Sequence, residues 1–258
     1  MNSLRRTRAI VQNDLDLLRY DPLATIVLII TPLLVMAFLK PAYGPLLHDQ
    51  GYGFANGSEQ VVPGMAVFFA IYMITFLGLA FFREHIWSTW DRLRASPARS
   101  YEIVIGKLAP NFAILVVQQA VLFGAGVLLF GLEINGSVVA LAAVALSFVL
   151  WLIAFAFAVA SYCRTFQQVL AVSNLGAILF SGIGGALTPI DSLPGWADAI
   201  APGFPTYWAM RGFKDVLLDG EGLGGVGPEV AVLLGAAALF WVLAAVRFRL
   251  DDPKGGTL

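Results

Sequence analysis

Charged residues are scarce in this sequence. Of its 258 residues, 13% are Asp, Glu, Lys or Arg, whereas 59% are hydrophobic. Soluble domains carry roughly 25% charged residues, so this composition excludes a soluble enzyme. The formal net charge is -1, from 16 basic and 17 acidic side chains, and that balance gives no reason to expect a nucleic-acid partner.

Cysteine and histidine are nearly absent, which limits covalent and metal chemistry. The single cysteine, Cys163, excludes an internal disulfide, and its apolar surroundings predict a small hydrophobic side chain buried in a membrane. The two histidines, His48 and His85, are predicted on opposite faces of the membrane, so this chain alone is not expected to form a metal cluster. A nucleophile, a base and an orienting acid do not fall together on one face, which disfavours a membrane-embedded enzyme.

The sequence also lacks a nucleotide-binding loop. The pattern G-x-x-x-x-G-K-[ST] is approached only at Gly106-Lys107, which is followed by Leu108 and has Tyr101 where the first glycine would stand. The chain is therefore predicted to have no ATP site of its own and to be no enzyme by itself.

Long uncharged stretches are what this sequence does contain, and each predicts a helix that crosses a bilayer core about 30 Å thick. Six such stretches run over residues 23–39, 61–82, 108–132, 134–163, 165–190 and 230–246. They predict an all-α membrane protein with six transmembrane helices. Because the stretches hold no carboxylate, histidine or arginine, a stand-alone ion-coupled carrier or channel is the weaker interpretation.

The positions of lysine and arginine predict the orientation of these spans. Thirteen of the 16 lie before the first span, in loop 83–107, at Arg164 or after the last span. The other three, Lys40, Arg211 and Lys214, lie on the opposite side. Since loops rich in Lys and Arg remain in the cytoplasm, both termini are predicted to be cytoplasmic.

Two segments outside the spans are predicted to lie at the membrane surfaces. Residues 1–20 form a predicted amphipathic helix on the inner surface, which either anchors the chain to membrane lipid or also contacts a cytoplasmic partner. Residues 190–222 combine prolines with aromatic side chains, and we expect one or two short re-entrant helices in the outer leaflet.

The loop between spans two and three carries a helical pattern of its own. Ile86, Trp90 and Leu93 recur on one helical face, and Ser96-Pro97 predicts a break followed by a second helix. Such a basic amphipathic segment either lies at the membrane interface or docks into a groove on a soluble protein.

Polar side chains within the spans are few. Gln118 and Gln119 are neighbours in the third span, and Asn174 lies in the fifth. Adjacent residues on a helix point about 100° apart, so at least one of the two glutamines is expected to face another helix or a cavity. The three residues are candidates for a transport pathway or for ordinary hydrogen bonds between helices.

Two motifs resemble those of a known family. The inner loop contains Arg83-Glu84, Asp91-Arg92-Leu93, Ala95-Ser96-Pro97 and Gly106-Lys107, and the outer segment contains Pro189, Leu193-Pro194, Trp196 and Pro205-Thr206-Tyr207. In residue type, order and predicted face they resemble the signatures of the membrane subunit of ABC-2-type ABC exporters, and the chain looks most similar to the small drug-export permeases. The likeness extends over the whole chain in length, span number and loop placement. His85 departs from the family pattern, which often has Arg or Lys at this position.

The resemblance implies one ABC-2-type transmembrane domain over residues 1–258, in a bacterial plasma membrane. Such a permease would move an amphipathic drug, lipid or glycolipid outward; a polysaccharide or lipo-oligosaccharide export permease is the alternative within the family. It would form a homodimer, or a heterodimer with a sister permease, on separate ATP-binding cassette subunits. Those subunits would hold ATP and Mg²⁺, and this chain would need no cofactor or metal.

The resemblance also assigns roles to the two cytoplasmic segments. Residues 1–20 would be the connecting helix, and residues 83–100 would form the coupling-helix loop that docks on the ATP-binding subunit. The docking residues would be Arg83, Glu84, Ile86, Trp90, Arg92, Leu93, Arg94 and Pro97.

Overall fold

The computed structural model describes residues 11–12, 23–86, 95 and 99–248. In these ranges the regular secondary structure is helical, without a strand. The amphipathic helix predicted over residues 1–20 falls almost wholly outside the described residues. Most of the coupling loop does too, including Trp90, Arg92, Leu93, Arg94 and Pro97.

We number the α-helices of the described residues α1 to α9 in chain order. They are α1 Leu23–Asp49, α2 Ser58–Ile71, α3 Met73–Ile86, α4 Ser100–Phe130, α5 Val138–Tyr162, α6 Phe166–Ile183, α7 Gly195–Ile200, α8 Pro205–Leu217 and α9 Gly227–Arg247. Two short 3-10 turns, Ile190–Ser192 and Ala201–Gly203, flank α7.

Six helical stretches are long and apolar enough to cross a membrane. They are Ile29–Asp49, Ser58–Phe82, Tyr101–Phe130, Val138–Tyr162, Phe166–Ile183 and Gly227–Arg247. The second stretch combines α2 with most of α3. The predicted all-α membrane protein with six spans is therefore confirmed, while the cytoplasmic position of both termini stays a prediction.

Several helices begin or end at residues that the uncharged stretches did not indicate. Helix α1 passes Lys40 and continues to Asp49, with Pro41 and Pro45 inside it. Helix α4 begins at Ser100, because the Glu102 carboxylate accepts a hydrogen bond from the Arg99 N–H at 2.9 Å and so caps the first turn. A helix continues for as long as its backbone groups find partners, whether or not a charged side chain is present.

The spans differ in how far they are enclosed. We compared the share of buried residues in the most apolar 18 residues of each span. This share is 67% in Ser58–Phe82 and 61% in α5, but only 22% in the first span and 17% in α9. The α2–α3 span and α5 therefore form the interior of the bundle. Trp151 of α5 is fully buried there, and it stacks on Phe155, which meets Phe240 of α9 edge to face at 5.0 Å.

A close contact joins α2 to the turn that follows α6. A Cβ atom at Gly64 would overlap the carbonyl oxygen of Ala186, so only glycine permits this approach. One turn earlier on α2, the Gln60 side-chain amide donates to the Gly185 carbonyl at 2.8 Å. These two contacts fix the beginning of α2 against the end of α6.

Side chains tie together the loops at one end of the bundle, which we call the α8 end (residues 40–61, 130–138 and 184–229). Four hydrogen bonds of 2.6 to 2.7 Å to backbone carbonyls join Tyr43 to Leu187, Asn56 to Gly131, Asn135 to Leu217 and Thr206 to Phe180. Helices α7 and α8 occupy the segment where short helices were expected. Their entry into the outer leaflet stays a prediction.

The opposite end, which we call the α3 end (residues 83–86, 99–107, 162–166 and 247–248), allows a matched test of orientation. Asp198 of α7 and Arg164 after α5 are both exposed, at opposite ends. Cys163 is only partly buried, so it must be replaced first. In a Cys163→Ala background, we expect Asp198→Cys in intact cells to react with a membrane-impermeant thiol reagent and Arg164→Cys to be protected until the cells are opened. The reverse labelling pattern would invert the predicted orientation.

Candidate functional site

The predicted docking loop continues directly from a membrane span. Arg83, Glu84 and Ile86 lie in the last turns of α3, and α4 begins at Ser100. The other five predicted docking residues lie outside the described ranges. The structure thus places the start of the loop on a helix that packs against α5 and α6, and the docking role of the eight residues stays a prediction.

Two charged side chains are buried at the α3 end, close to this loop in sequence. Glu102 and Lys107 of α4 are 0% and 1% exposed. Gly106-Lys107, the pair nearest to a phosphate-loop motif, lies inside α4 and not in a loop. The sequence predicted both side chains outside the spans, because each predicted span was an uncharged stretch and therefore stopped at the nearest charged residue. One feature of the sequence did indicate that Glu102 belongs to a helix. It stands three residues after Arg99, the spacing at which a carboxylate caps the first turn of a helix.

A second cluster of charges, of which Glu229 is buried, lies at the α8 end. Glu229, in the first turn of α9, is 2% exposed, and its Oε1 lies 3.3 Å from Nε of Arg211 on α8. The other carboxylate oxygen, Oε2, has no hydrogen-bond partner among the described residues. Gly212 makes this packing feasible, because a side chain there would overlap Val144 of α5 and press on Glu229.

Asp215 extends this cluster by one helical turn beyond Arg211. Its pKa is raised from 3.8 to about 6, first because burial removes the carboxylate from water and second because Glu229 repels a further negative charge. Arg211 opposes the shift only in part. A group of three or more His, Cys, Asp or Glu side chains that could hold a metal ion is not found in the part of the chain that the structure describes.

The polar residues predicted within the spans do not form one site. Gln118 and Gln119 of α4 are 0% and 4% exposed, and the Gln119 side-chain amide donates to the Ala66 carbonyl of α2 at 3.1 Å. Asn174 instead lies on the exposed face of α6, beside Leu175 and Ile178. Gln119 therefore contacts a neighbouring helix, whereas Asn174 points away from the bundle.

Comparison with known proteins identifies the family. The model of the ABC-2 type transporter family matches residues 5–218, which is most of the chain. The chain therefore belongs to the ABC-2 type transporter family, as the resemblance of its two motifs predicted. With its six apolar helices and bacterial relatives, it is a multi-pass protein of the plasma membrane.

Three relatives show what kinds of protein share this sequence. The chain is 27% identical over 196 residues to the linearmycin resistance permease protein LnrN of Bacillus subtilis, covering 75% of this chain and 48% of LnrN. It is 28% identical over 142 residues to the probable multidrug ABC transporter permease YbhR of Escherichia coli, covering 53% and 37%. It is 25% identical over 242 residues to the probable doxorubicin resistance ABC transporter permease protein DrrC of Mycobacterium tuberculosis, covering 92% and 84%. The matched region thus spans about half of LnrN or less than half of YbhR, but most of DrrC.

The raised pKa of Asp215 predicts a pH-dependent effect on stability. Since the folded chain holds this proton up to about pH 6 and the unfolded chain releases it near 3.8, the stability contributed by Asp215 falls as the pH rises between these values. We expect Asp215→Asn to stabilise the protein at pH 7.5 by about 1 kcal/mol, after discounting for the exposed part of the carboxylate. The gain should shrink below pH 6 and vanish near pH 4.

Thermal unfolding of the detergent-purified chain across this pH range measures the effect. Asp198→Asn, on the exposed face of α7, is the control, and a change within about 0.5 kcal/mol at every pH is expected of it. A loss of stability in Asp215→Asn at pH 7.5 would contradict the raised pKa of Asp215, and with it the effects of burial and of repulsion by Glu229 that cause it.

Proposed function

We propose that this chain is the membrane-spanning subunit of an ATP-driven exporter that moves an amphipathic drug, lipid or glycolipid out of the cell. The observation that carries the proposal is the match to DrrC, a permease named for doxorubicin resistance, over 92% of this chain and 84% of DrrC. LnrN and YbhR are named for linearmycin resistance and multidrug transport. Three relatives named for drug transport favour this role over the export of polysaccharide or lipo-oligosaccharide.

The energy for export would come from a separate ATP-binding cassette subunit. In this family that subunit hydrolyses ATP while the permease spans the membrane. This chain's own sequence supports the division of work, because its nearest approach to a phosphate-binding motif, Gly106-Lys107, lies within a helix. ATP and Mg²⁺ would therefore bind to the partner.

The loop after α3 would receive the motion of that partner. Helix α3 continues without a break through Arg83, Glu84 and Ile86, so a displacement of the docked loop would move a helix that packs against α5 and α6. The Ile86, Trp90 and Leu93 face would enter a groove on the ATP-binding subunit, and Arg92 and Arg94 would pair with acids at its rim.

A second permease would cover the exposed face of α6. Asn174 lies on that face next to Leu175, Ile178 and Leu179, which are more than half exposed. Lipid tails offer the Asn174 side-chain amide no hydrogen-bond partner. In a two-fold dimer, Asn174 would instead meet Asn174 of the partner subunit. A homodimer satisfies this residue directly, and a heterodimer with a sister permease would do so with a polar residue at the matching position.

Export is tested in cells by drug accumulation. We expect co-expression of this chain with its ATP-binding subunit to lower the steady-state content of doxorubicin, the drug for which DrrC is named. Either subunit alone should leave accumulation unchanged, because neither contains both the path and the energy source. Lowered accumulation with this chain alone would instead support a stand-alone carrier.

The docking surface is tested by co-purification of the two subunits from detergent. A buried aromatic side chain at an interface contributes more than about 2 kcal/mol, while a charge at the rim mainly changes association rate and salt dependence. Trp90→Ala should therefore reduce the complex at low and high salt, and Arg94→Ala, the control, should reduce it less. An undiminished complex with Trp90→Ala would place this face on lipid headgroups instead.

A further inference from the structure

An elongated cavity of about 360 Å³ lies between α4 and α5, two helices that cross the membrane. Its wall includes Val116, Gln119 and Phe123 of α4 and Leu141, Ala145 and Val149 of α5. On each helix these residues are three or four positions apart, and residues with that spacing share one helical face. The cavity therefore runs along both helices, in the direction in which lipid chains cross the membrane.

The wall of this cavity offers an occupant neither a charge nor a hydrogen bond. None of the described residues that line it is charged. Gln119 contributes only the apolar part of its side chain, because its amide is buried: Nε2 donates to the Ala66 carbonyl at 3.1 Å, and Oε1 is enclosed by protein. Water needs polar partners to occupy a cavity, and an ion needs an opposite charge. The cavity therefore suits an apolar occupant.

The cavity opens toward the lipid. Leu146 and Val138, which form part of its wall, are 43% and 63% exposed, whereas Val149 is buried. Ala120 of α4 and Ala142 of α5 also line it and are exposed, and their small side chains leave a gap between the helices that larger ones would fill. An apolar molecule in the bilayer can therefore enter from the side.

The extent of the cavity along the spans corresponds to one leaflet. On α5 it reaches from Val138, the first residue of the helix, to Val149, a length of about 16 Å at 1.5 Å per residue. Half of a bilayer core about 30 Å thick is about 15 Å. The cavity thus extends from the α8 end of α5 to near the middle of the membrane, which is the depth that the acyl chain of a phospholipid spans.

We propose that one acyl chain of a phospholipid, from the leaflet on the α8 side, occupies this cavity as a bound part of the structure. The headgroup then lies beside residues 131–137, the loop that joins α4 to α5. An empty cavity leaves its lining atoms without contacts on one side, and an acyl chain restores those contacts. The volume is near the lower limit of ligand pockets, which suits one chain better than a drug with several fused rings. The site is formed by one chain and does not depend on the proposed export activity.

The test uses a phosphatidylcholine with a photoactivatable diazirine at the end of one acyl chain. The full-length chain is placed in lipid nanodiscs that contain a small fraction of this probe, and labelled residues are identified by mass spectrometry after irradiation. A lipid that only passes along the surface labels most where side chains are most exposed, as at Leu239 and Val242 of α9, which are 57% and 59% exposed. These two residues lie at about the same depth as Val149. We expect a resident chain to label Val116 and Val149 more strongly than the two α9 residues.

Three variants that each add a phenylalanine ring assign the labelling to the cavity. Ala145→Phe fills the space, so labelling of the cavity should be lost while labelling of α9 is kept. Ala142→Phe, one turn nearer to the α8 end, should have the same effect, and it replaces Ala145→Phe if that variant fails to fold as judged by gel filtration. Ala238→Phe is the matched control, because it adds the same ring at an exposed position of α9 and should leave labelling of the cavity intact.

Labelling of the cavity no stronger than that of α9 in the unmodified chain would overturn the proposal. So would labelling of the cavity that persists in a folded Ala145→Phe or Ala142→Phe chain. Excess doxorubicin should leave the labelling unchanged, and its loss in the presence of the drug would make the cavity a drug site and contradict a resident lipid. Because labelling needs neither ATP nor the partner subunit, its outcome is separate from that of the accumulation experiment.

Discussion

Inside a bilayer, a polar group must find its hydrogen-bond partner within the protein, and most of this structure follows from that constraint. It makes the spans helical, and it determines what happens where they end. The Glu59 carboxylate accepts hydrogen bonds from the backbone N–H groups of Asn56 and Gly57 at 3.1 Å, just before α2. The Lys40 ammonium donates to the carbonyl of Phe130, the last residue of α4, at 2.5 Å. Glu59 thus completes the start of its own helix, and Lys40 of one span completes the end of another.

The same constraint gives the two ends of the bundle different characters. At the α8 end, loops are fastened to one another by short side-chain bonds, and Glu229 is buried against Arg211. At the α3 end, a helix leads straight into the segment that we propose docks on the ATP-binding subunit. In the proposed exporter, force would enter at the α3 end and act on a bundle whose far end resists deformation.

The sequence predicted the six spans well because uncharged runs long enough for a membrane have few other uses in proteins. It also predicted the family, from two motifs in the right order. Helix ends were less predictable, because an uncharged stretch stops at a charged residue, whereas a helix can include that residue when its charge is paired. Glu102 and Glu229 are two such residues. The sequence singled out the Gln118-Gln119 pair, but only the placement of α2 and α5 around α4 shows that Gln119 contacts Ala66 and borders a cavity.

The lengths of the spans have a consequence for the surrounding lipid. Helix α6 has 18 residues and α1 has 27, so at 1.5 Å per residue they measure about 27 and 40 Å. A bilayer core about 30 Å thick matches neither helix. Local thinning of the lipid or association with a second subunit would accommodate the shorter α6, while α1 would tilt or project beyond the core. Bilayer thickness would therefore act on this protein as a mechanical variable, and membranes rich in shorter acyl chains would relieve the mismatch at α6 at the expense of α1.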